Sequence, residues 1–332
     1  MTTRRILMTA AFGSLAAPAL IRSARAATQF DLATVWPDGN FHTQNAKRFA
    51  AEVAKATDNA VTINVHAGGA LGFKGPELLR AVRDGLVPMA DVLNNQQIGD
   101  APTLAIEGIS FLIGSFDELK VLHKHLMPEY ERVAKANNQK FLYIVPWPTQ
   151  YTHLRNPIST IDDLRGVRIR ASDKNTADMC NLMGASGTMM PWGEVVPALA
   201  SGRIDGVCTS ATSGVDGRFW EFLKVAYRTN HTNNSQLVSI NLDSWNELSA
   251  ANREKIEAVA KKLQPEFWNV AQMDDTNSVK KLTENGMQVR DVDPALMAEM
   301  RKRTASMKDD FIKRVPAARP IVQAYLAELG RA

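Results

Sequence analysis

The sequence predicts an α/β protein built as two lobes, and three observations carry that expectation. Strand and helix patterns alternate from "FDLATVW" (30–36) to the apolar run "MADVL" (89–93). A second alternating unit runs from "VRIR" (167–170) to "DGVCTS" (205–210). Between them there is no tandem repeat, no low-complexity stretch and no linker long enough to separate independent domains, so the two units must be joined by several crossings. At 45% hydrophobic, the 332 residues are enough for two cores.

The first 26 residues stand apart from this pattern. Arg4 and Arg5 precede an apolar, Ala-rich segment from Ile6 to about Ile21, and "RSARAA" follows with small residues at Ala24 and Ala26. This is the layout of an export signal cleaved near Ala26, and the arginine pair suggests the twin-arginine route. The segment carries four arginines and no acids, so its removal takes the formal charge from +4 to zero, with 35 basic and 35 acidic residues left. A neutral chain without a long basic run is not a nucleic-acid binder. No later run reaches the ~18–20 apolar residues of a membrane span.

After the signal, "FDLATVW" reads as a strand and 41–57 as a helix with Phe41, Ala46, Phe49 and Val53 at helical spacing. "AVTINVH" alternates as a strand, "GGALG" turns, and "PELLRAVRDG" forms a short helix with Pro76 near its start and Gly85 past its end. "MADVL" is a strand and "NNQQIGD" a polar loop. Residues 116–138 form a helix with Pro128 as the expected break, and "FLYIV" is the strand that runs into Pro146-Trp147-Pro148. The second unit reads "VRIR" strand, "NTADMCNLMG" helix, "GTMMP" strand, "GEVVPALASG" helix and "DGVCTS" strand. "QLVSINL" is a further strand. Ser244-Trp245-Asn246-Glu247 has capping-box spacing and predicts a helix start there. Residues 250–285 read as one long helix bent near Pro265, and 293–329 as helical around Pro316 and Pro320.

The chemistry of catalysis is missing. There is no G-x-S-x-G elbow and no phosphate-binding loop, and "GGALG" lacks dinucleotide spacing. Six scattered histidines include His123 and His125, which do not share a helix face; a solvated surface is expected rather than a metal site. Carboxylates fall mostly in helical contexts and read as exposed charge. For Cys180 and Cys208, a disulfide and two buried thiols are both open, the second being the ordinary state of small core residues. An exported α/β protein of this kind is expected to bind rather than to transform, without metal or cofactor.

The stretch "TIDDLRGVRIR" (160–170) places Arg165, Arg168 and Arg170 in and before a strand. Alternation puts Val167 and Ile169 on one face and Arg168 and Arg170 on the other. Ligands in open α/β sheets sit beyond the carboxyl ends of strands, and Arg170 is the last strand residue. A guanidinium there can hold a carboxylate through two parallel hydrogen bonds. Arg170 is therefore the candidate anchor, and Arg168 a weaker one.

The chain resembles the DctP-type solute-binding proteins of tripartite ATP-independent periplasmic (TRAP) transporters. The resemblance rests on "DLRGVRIR" (163–170) and "PWGEVVPALASGRIDGV" (191–207). It is supported by "FAAEV" (49–53), "GALG" (69–72), Glu77, "DGLVPMADV" (84–92) and "NHTNNSQLVSINLDSWNELS" (230–249) in the family's order. It implies a two-lobed periplasmic binding protein fold with a ligand cleft between the lobes and a long hinge-spanning helix. Lobe I is expected over 27–147 and 235–275, lobe II over 148–234 and 276–332. The resemblance further implies a periplasmic receptor that closes on a small organic acid, pairs it with Arg170, and hands it to the two-part membrane permease; a monomer is expected, with the oligomeric state left open by the sequence. An ABC-importer receptor is the nearest alternative, and an exported enzyme acting on an organic acid the more distant one.

Two departures narrow the ligand. Where many members carry an Asn that touches the carboxylate, "DGVCTS" has Thr209, which offers only a hydroxyl. Where sialate-type members have a second cleft arginine, spacing places Gln150. One strong cation then favours a monocarboxylate, with aromatic, hydroxy and keto acids all open. Trp192 stands at the family's aromatic position, while Phe41 and Trp147 lie near strand ends; ordinary packing competes with a pocket role for all three. Asn94, Asn95 and Gln96 follow the "MADVL" strand and are candidates to position a polar ligand atom, against a hydrated loop.

Overall fold

A computed structural model describes residues 27–331; the export signal expected over 1–26 lies outside the described residues. The strands are β1 Thr28–Ala33, β2 Val61–His66, β3 Met89–Leu93, β4 Gln139–Pro146, β5 Gln150–Leu154, β6 Arg168–Ala171, β7 Ser186–Met189, β8 Gly206–Ser210, β9 Val225–Arg228, β10 Ser235–Asn241 and β11 Gln288–Asp291. The α-helices are α1 Phe41–Ala56, α2 Leu78–Arg83, α3 Phe116–Ala136, α4 Lys174–Leu182, α5 Val195–Ala200, α6 Ala211–Asp216, α7 Leu242–Asn246, α8 Ala250–Glu284, α9 Pro294–Arg303, α10 Met307–Arg314 and α11 Ala318–Glu328.

The strands form two mixed sheets, ordered β2-β1-β3-β10-β4 and β11-β9-β5-β8-β6-β7. In the first, β1 pairs in parallel with β2 and β3, and β10 runs antiparallel to β3 and β4. In the second, β6 is parallel to β7 and β8, while β5 is antiparallel to β8 and β9. Each sheet is covered on both faces by apolar clusters, the first by α1 and α8 on one side and α2, α3 and α11 on the other. This is the two-lobed α/β architecture that the alternation of elements predicts.

Local signals account for the main helices. Asn40 caps α1 by accepting from His42 N, and Phe41, Ala46, Phe49 and Val53 are buried as their spacing requires. Ser115 caps α3, which runs 21 residues through Pro128 without ending. Its buried row of Leu119, Leu122, Leu126, Tyr130 and Val133 outweighs the one hydrogen bond the proline removes. Pro265 is likewise carried inside the 35-residue α8, which packs Ile256, Leu263 and Phe267 on the first lobe and Leu282 on the second. The start expected at Ser244 is corrected: Asn241 caps the short α7, and Ser249, accepting from Asn252 N, starts α8.

The chain crosses between lobes from β4 to β5, from β9 to β10 and along α8. It crosses once more at the end, where Phe311, Val315, Val322 and Tyr325 of α10 and α11 pack on the first lobe rather than the second. Strands β5, β9 and β11 were not legible from pattern. All five residues of β5, "QYTHL", are buried, so polar residues sit where alternation would place none.

Candidate functional site

Arg170 is the last residue but one of β6, which Ala171 ends, so the strand runs one residue past the expected end; the arginine is buried, 1% exposed. Its Nε donates to the Met190 carbonyl at 2.9 Å. Its Nη2 is buried and has no hydrogen-bond partner among the described residues. Burial draws the guanidinium down to about 10, opposed by the nearby charges of Asp173 and Cys208, so it stays cationic at neutral pH. The other two arginines of the stretch are already used. Arg168 makes two bonds to Asp205, each 2.7 Å, and Arg165 lies 3.5 Å from Asp162; both are exposed. A buried cation with an unpartnered Nη2 and no ion-pair partner among the described residues is costly, which is the condition under which an anionic ligand is gripped hardest.

The two lobes touch around this point. Asn95 Nδ2 donates to Asp173 at 2.7 Å, and Gln96 Nε2 to the Ser172 carbonyl at 3.0 Å. Asp173 also caps α4 through Thr176 N. Asn175 Nδ2 donates to the Ala105 carbonyl at 3.3 Å. Farther along, Asn40 Nδ2 donates to Asp216 at 2.7 Å, so one amide both caps α1 and latches the lobes. Burial raises Asp216 to about 6, with the Asn40 bond opposing. Lys74 and Glu194 form an exposed ion pair at 3.0 Å on the rim, worth little by itself.

Aromatic rings close another side. Trp36 and Trp147 lie 4.5 Å apart, Trp36 and Trp192 5.6 Å, and Phe41 and Trp147 5.5 Å between centroids. Trp36, Phe41 and Trp147 pack in the core of the first lobe, and Trp192, from the second, joins them only where the lobes meet. Trp36 was absent from the sequence-based candidates. It follows the carboxyl end of β1 as Asn94 follows that of β3, so the strand-end rule that selected the asparagine also finds it.

The remaining candidates divide. Val207 is in register with Arg170, so Thr209, two residues on, shares the arginine's face of the sheet. Gln150 is in register with Ser210, on the opposite face by alternation, and its amide donates to Pro148 O at 2.9 Å. Residues 94–97 are a buried 3₁₀ turn rather than a hydrated loop. Asn94 turns inward and donates to Tyr130 OH, while Asn95 and Gln96 reach the other lobe. His123, expected on a solvated surface, instead bonds Glu107 at 2.6 Å, and Glu107 is fully buried. A groove of about 540 Å³ between α3, β4 and α7 is lined by His123, Tyr130, Lys140 and Trp245, and none of the cleft residues lines it.

Asp91, inside the apolar strand β3, is a further buried carboxyl, 2% exposed. Burial raises it to about 7, with Thr34 Oγ1 donating to it at 3.0 Å. An acid whose pKa rises on folding keeps its proton in the native state. The stability it contributes is present in acid and is lost as pH climbs from about 4 through about 7. Asp91→Asn should therefore stabilise the protein by about 1–3 kcal/mol at pH 8, with the gain vanishing near pH 4. Urea unfolding at both pH values checks this; a gain of equal size at both would show that proton linkage is not its source.

Two lobes that meet beside a buried guanidinium with an unpartnered Nη2 form a site suited to holding an anionic solute. The chain belongs to the bacterial extracellular solute-binding proteins of family 7 (DctP), whose model matches residues 32–314. DctP7 of Bordetella pertussis, an extracytoplasmic solute receptor binding pyroglutamic acid, superimposes with a TM-score of 0.87 at 31% identity, over 90% of this chain and 99% of that one. A marine-metagenome TRAP solute-binding protein specific for pyroglutamate superimposes with 0.86 at 27% identity, over 90% and 98%. A solute-binding protein of Chromohalobacter salexigens is 24% identical over 97% of both chains.

Proposed function

We propose that this chain is an exported receptor that closes over a small monocarboxylate carrying an amide N–H, of which pyroglutamate is the model, and delivers it to a TRAP permease. The buried Arg170 Nη2, unpartnered at the carboxyl end of β6, is the observation that carries the reading. It supplies one cation for one carboxylate, which is the stoichiometry of a monocarboxylate. The amide rests on two further buried atoms without partners, Asn95 Oδ1 and Asn234 Oδ1, both acceptors that call for an N–H donor. Both side chains flank Gly108: a Cβ there would lie 3.1 Å from Asn95 Cβ and 3.6 Å from Asn234 Oδ1. Trp36, Trp147 and Trp192 offer flat apolar surface suited to a small ring. Pyroglutamate binding by relatives at 31% and 27% identity points the same way.

A receptor that holds its ligand only when closed shifts toward the closed state on binding, and the closed surface is what a permease can recognise. Under this reading, pyroglutamate at a hundred times its dissociation constant adds about 2.7 kcal/mol of apparent stability, read as a rise in melting temperature. Succinate and D-glucuronate leave it unchanged, since the first needs a second cation and the second lacks the N–H. Stabilisation by succinate in place of pyroglutamate would refute the monocarboxylate reading. Stabilisation by lactate equal to that by pyroglutamate would remove the amide from it.

A further inference from the structure

Cys180 and Cys208 are the only two cysteines of the 332 residues. One lies on α4 and the other on β8, and the fold brings their sulfurs to 3.6 Å in a site where both are buried. Burial alone would account for each as a small apolar residue, but not for their meeting. The contact follows from the topology. β8 lies beside β6, α4 is the crossover that leaves β6, and Cys208 and Ile169 join the same apolar cluster with Cys180 beneath the helix. Gly187 of β7 lets the helix sit that close: a Cβ there would lie 2.8 Å from Cys180 Cβ.

We infer that Cys180 and Cys208 are a disulfide-forming pair, and that oxidation fastens α4 to β8 behind Arg170. The sulfurs must approach by about 1.5 Å to bond, within the reach of side-chain rotation and a small shift of α4. Family members work outside the cytoplasm, where disulfides persist. The contact with Cys180 and the charge of Arg170 favour the thiolate at Cys208. During opening or folding, the Cys208 thiolate attacks one sulfur of a disulfide oxidant, such as oxidised glutathione, and expels one thiol. The Cys180 thiolate then attacks Cys208 in the mixed disulfide and expels the second. The protein loses two protons and two electrons, and the oxidant's disulfide is reduced to two thiols. The bond would fix the helix whose cap, Asp173, receives Asn95 from the other lobe, and the strand that carries Thr209.

The test is a thiol count on the mature chain, which does not depend on the solute bound. The protein is equilibrated with excess oxidised glutathione in mild urea, refolded, alkylated with iodoacetamide under denaturing conditions, and weighed intact. The expected product is lighter by two hydrogens than the reduced chain and carries neither alkyl group nor glutathione. It melts about 5 °C above the reduced form. Cys180→Ala should instead take up no more than one glutathione and show no rise in melting temperature. Two alkylated thiols after equilibration, or glutathione on both cysteines, would overturn the inference.

Discussion

Arg170→Ala lowers the affinity for the carboxylate ligand by about a hundredfold or more. A charge-assisted hydrogen bond contributes about 1.5–3 kcal/mol, and closing the lobes on a carboxylate with no partner costs about 3–5 kcal/mol. About 2.7 kcal/mol already corresponds to two orders of magnitude. The same substitution removes a buried cation whose Nη2 is unpartnered, and that relief offsets the cavity and the lost bond to the Met190 carbonyl, so the ligand-free protein should melt close to the wild type. That pairing of lost affinity with kept stability separates an anchor from a structural residue. Arg170→Lys keeps a charge, but a single ammonium cannot serve the Met190 carbonyl and a ligand with the geometry of a planar fork, so about a tenfold loss remains. Titration calorimetry with pyroglutamate reads both variants. Wild-type affinity in the alanine variant would remove Arg170 from the site.

Glu107→Ala is the substitution expected to damage the fold most. Its carboxyl group, fully buried, accepts from Tyr130 OH at 2.5 Å, His123 Nε2 at 2.6 Å and Ser235 N at 2.6 Å. Ser235 opens β10 directly after the crossing from the second lobe, so the group ties a hinge strand to α3. Truncation strands a buried backbone N–H and a tyrosine hydroxyl and opens a cavity. Together these should cost about 3–5 kcal/mol. Denaturant unfolding measures this loss directly. Glu107→Gln, which keeps an acceptor and the volume, should lose less than half as much. A loss below about 1 kcal/mol in the alanine variant would show that the three donors find other partners.

The alternation of strand and helix patterns was enough to place most elements, because side-chain periodicity is a local property. It fell short where burial is two-sided. Strand β5 carries Gln150, Thr152 and His153 inside the second sheet, and its composition resembles a loop. It also fell short at Glu107, Asp91 and His123. Each belongs to a residue type that is normally solvated, and each is buried by groups distant in the chain. The aromatic wall shows the same limit: Trp36 and Trp192 are 156 positions apart and meet only across the lobes.

For the proposed site, the stretch 160–170 by itself placed an arginine near the carboxyl end of a strand, where ligands of open α/β sheets bind. Strand alternation and the carboxyl-end rule need nothing beyond neighbouring residues. Which arginine is buried without an ion-pair partner among the described residues was decided by the tertiary structure alone. Arg168 is neutralised by Asp205, 37 residues on, whereas the walls that exclude water from Arg170 come from elsewhere in the fold. Pairing and desolvation are sums over neighbours in space, and those neighbours are assembled only when the chain folds.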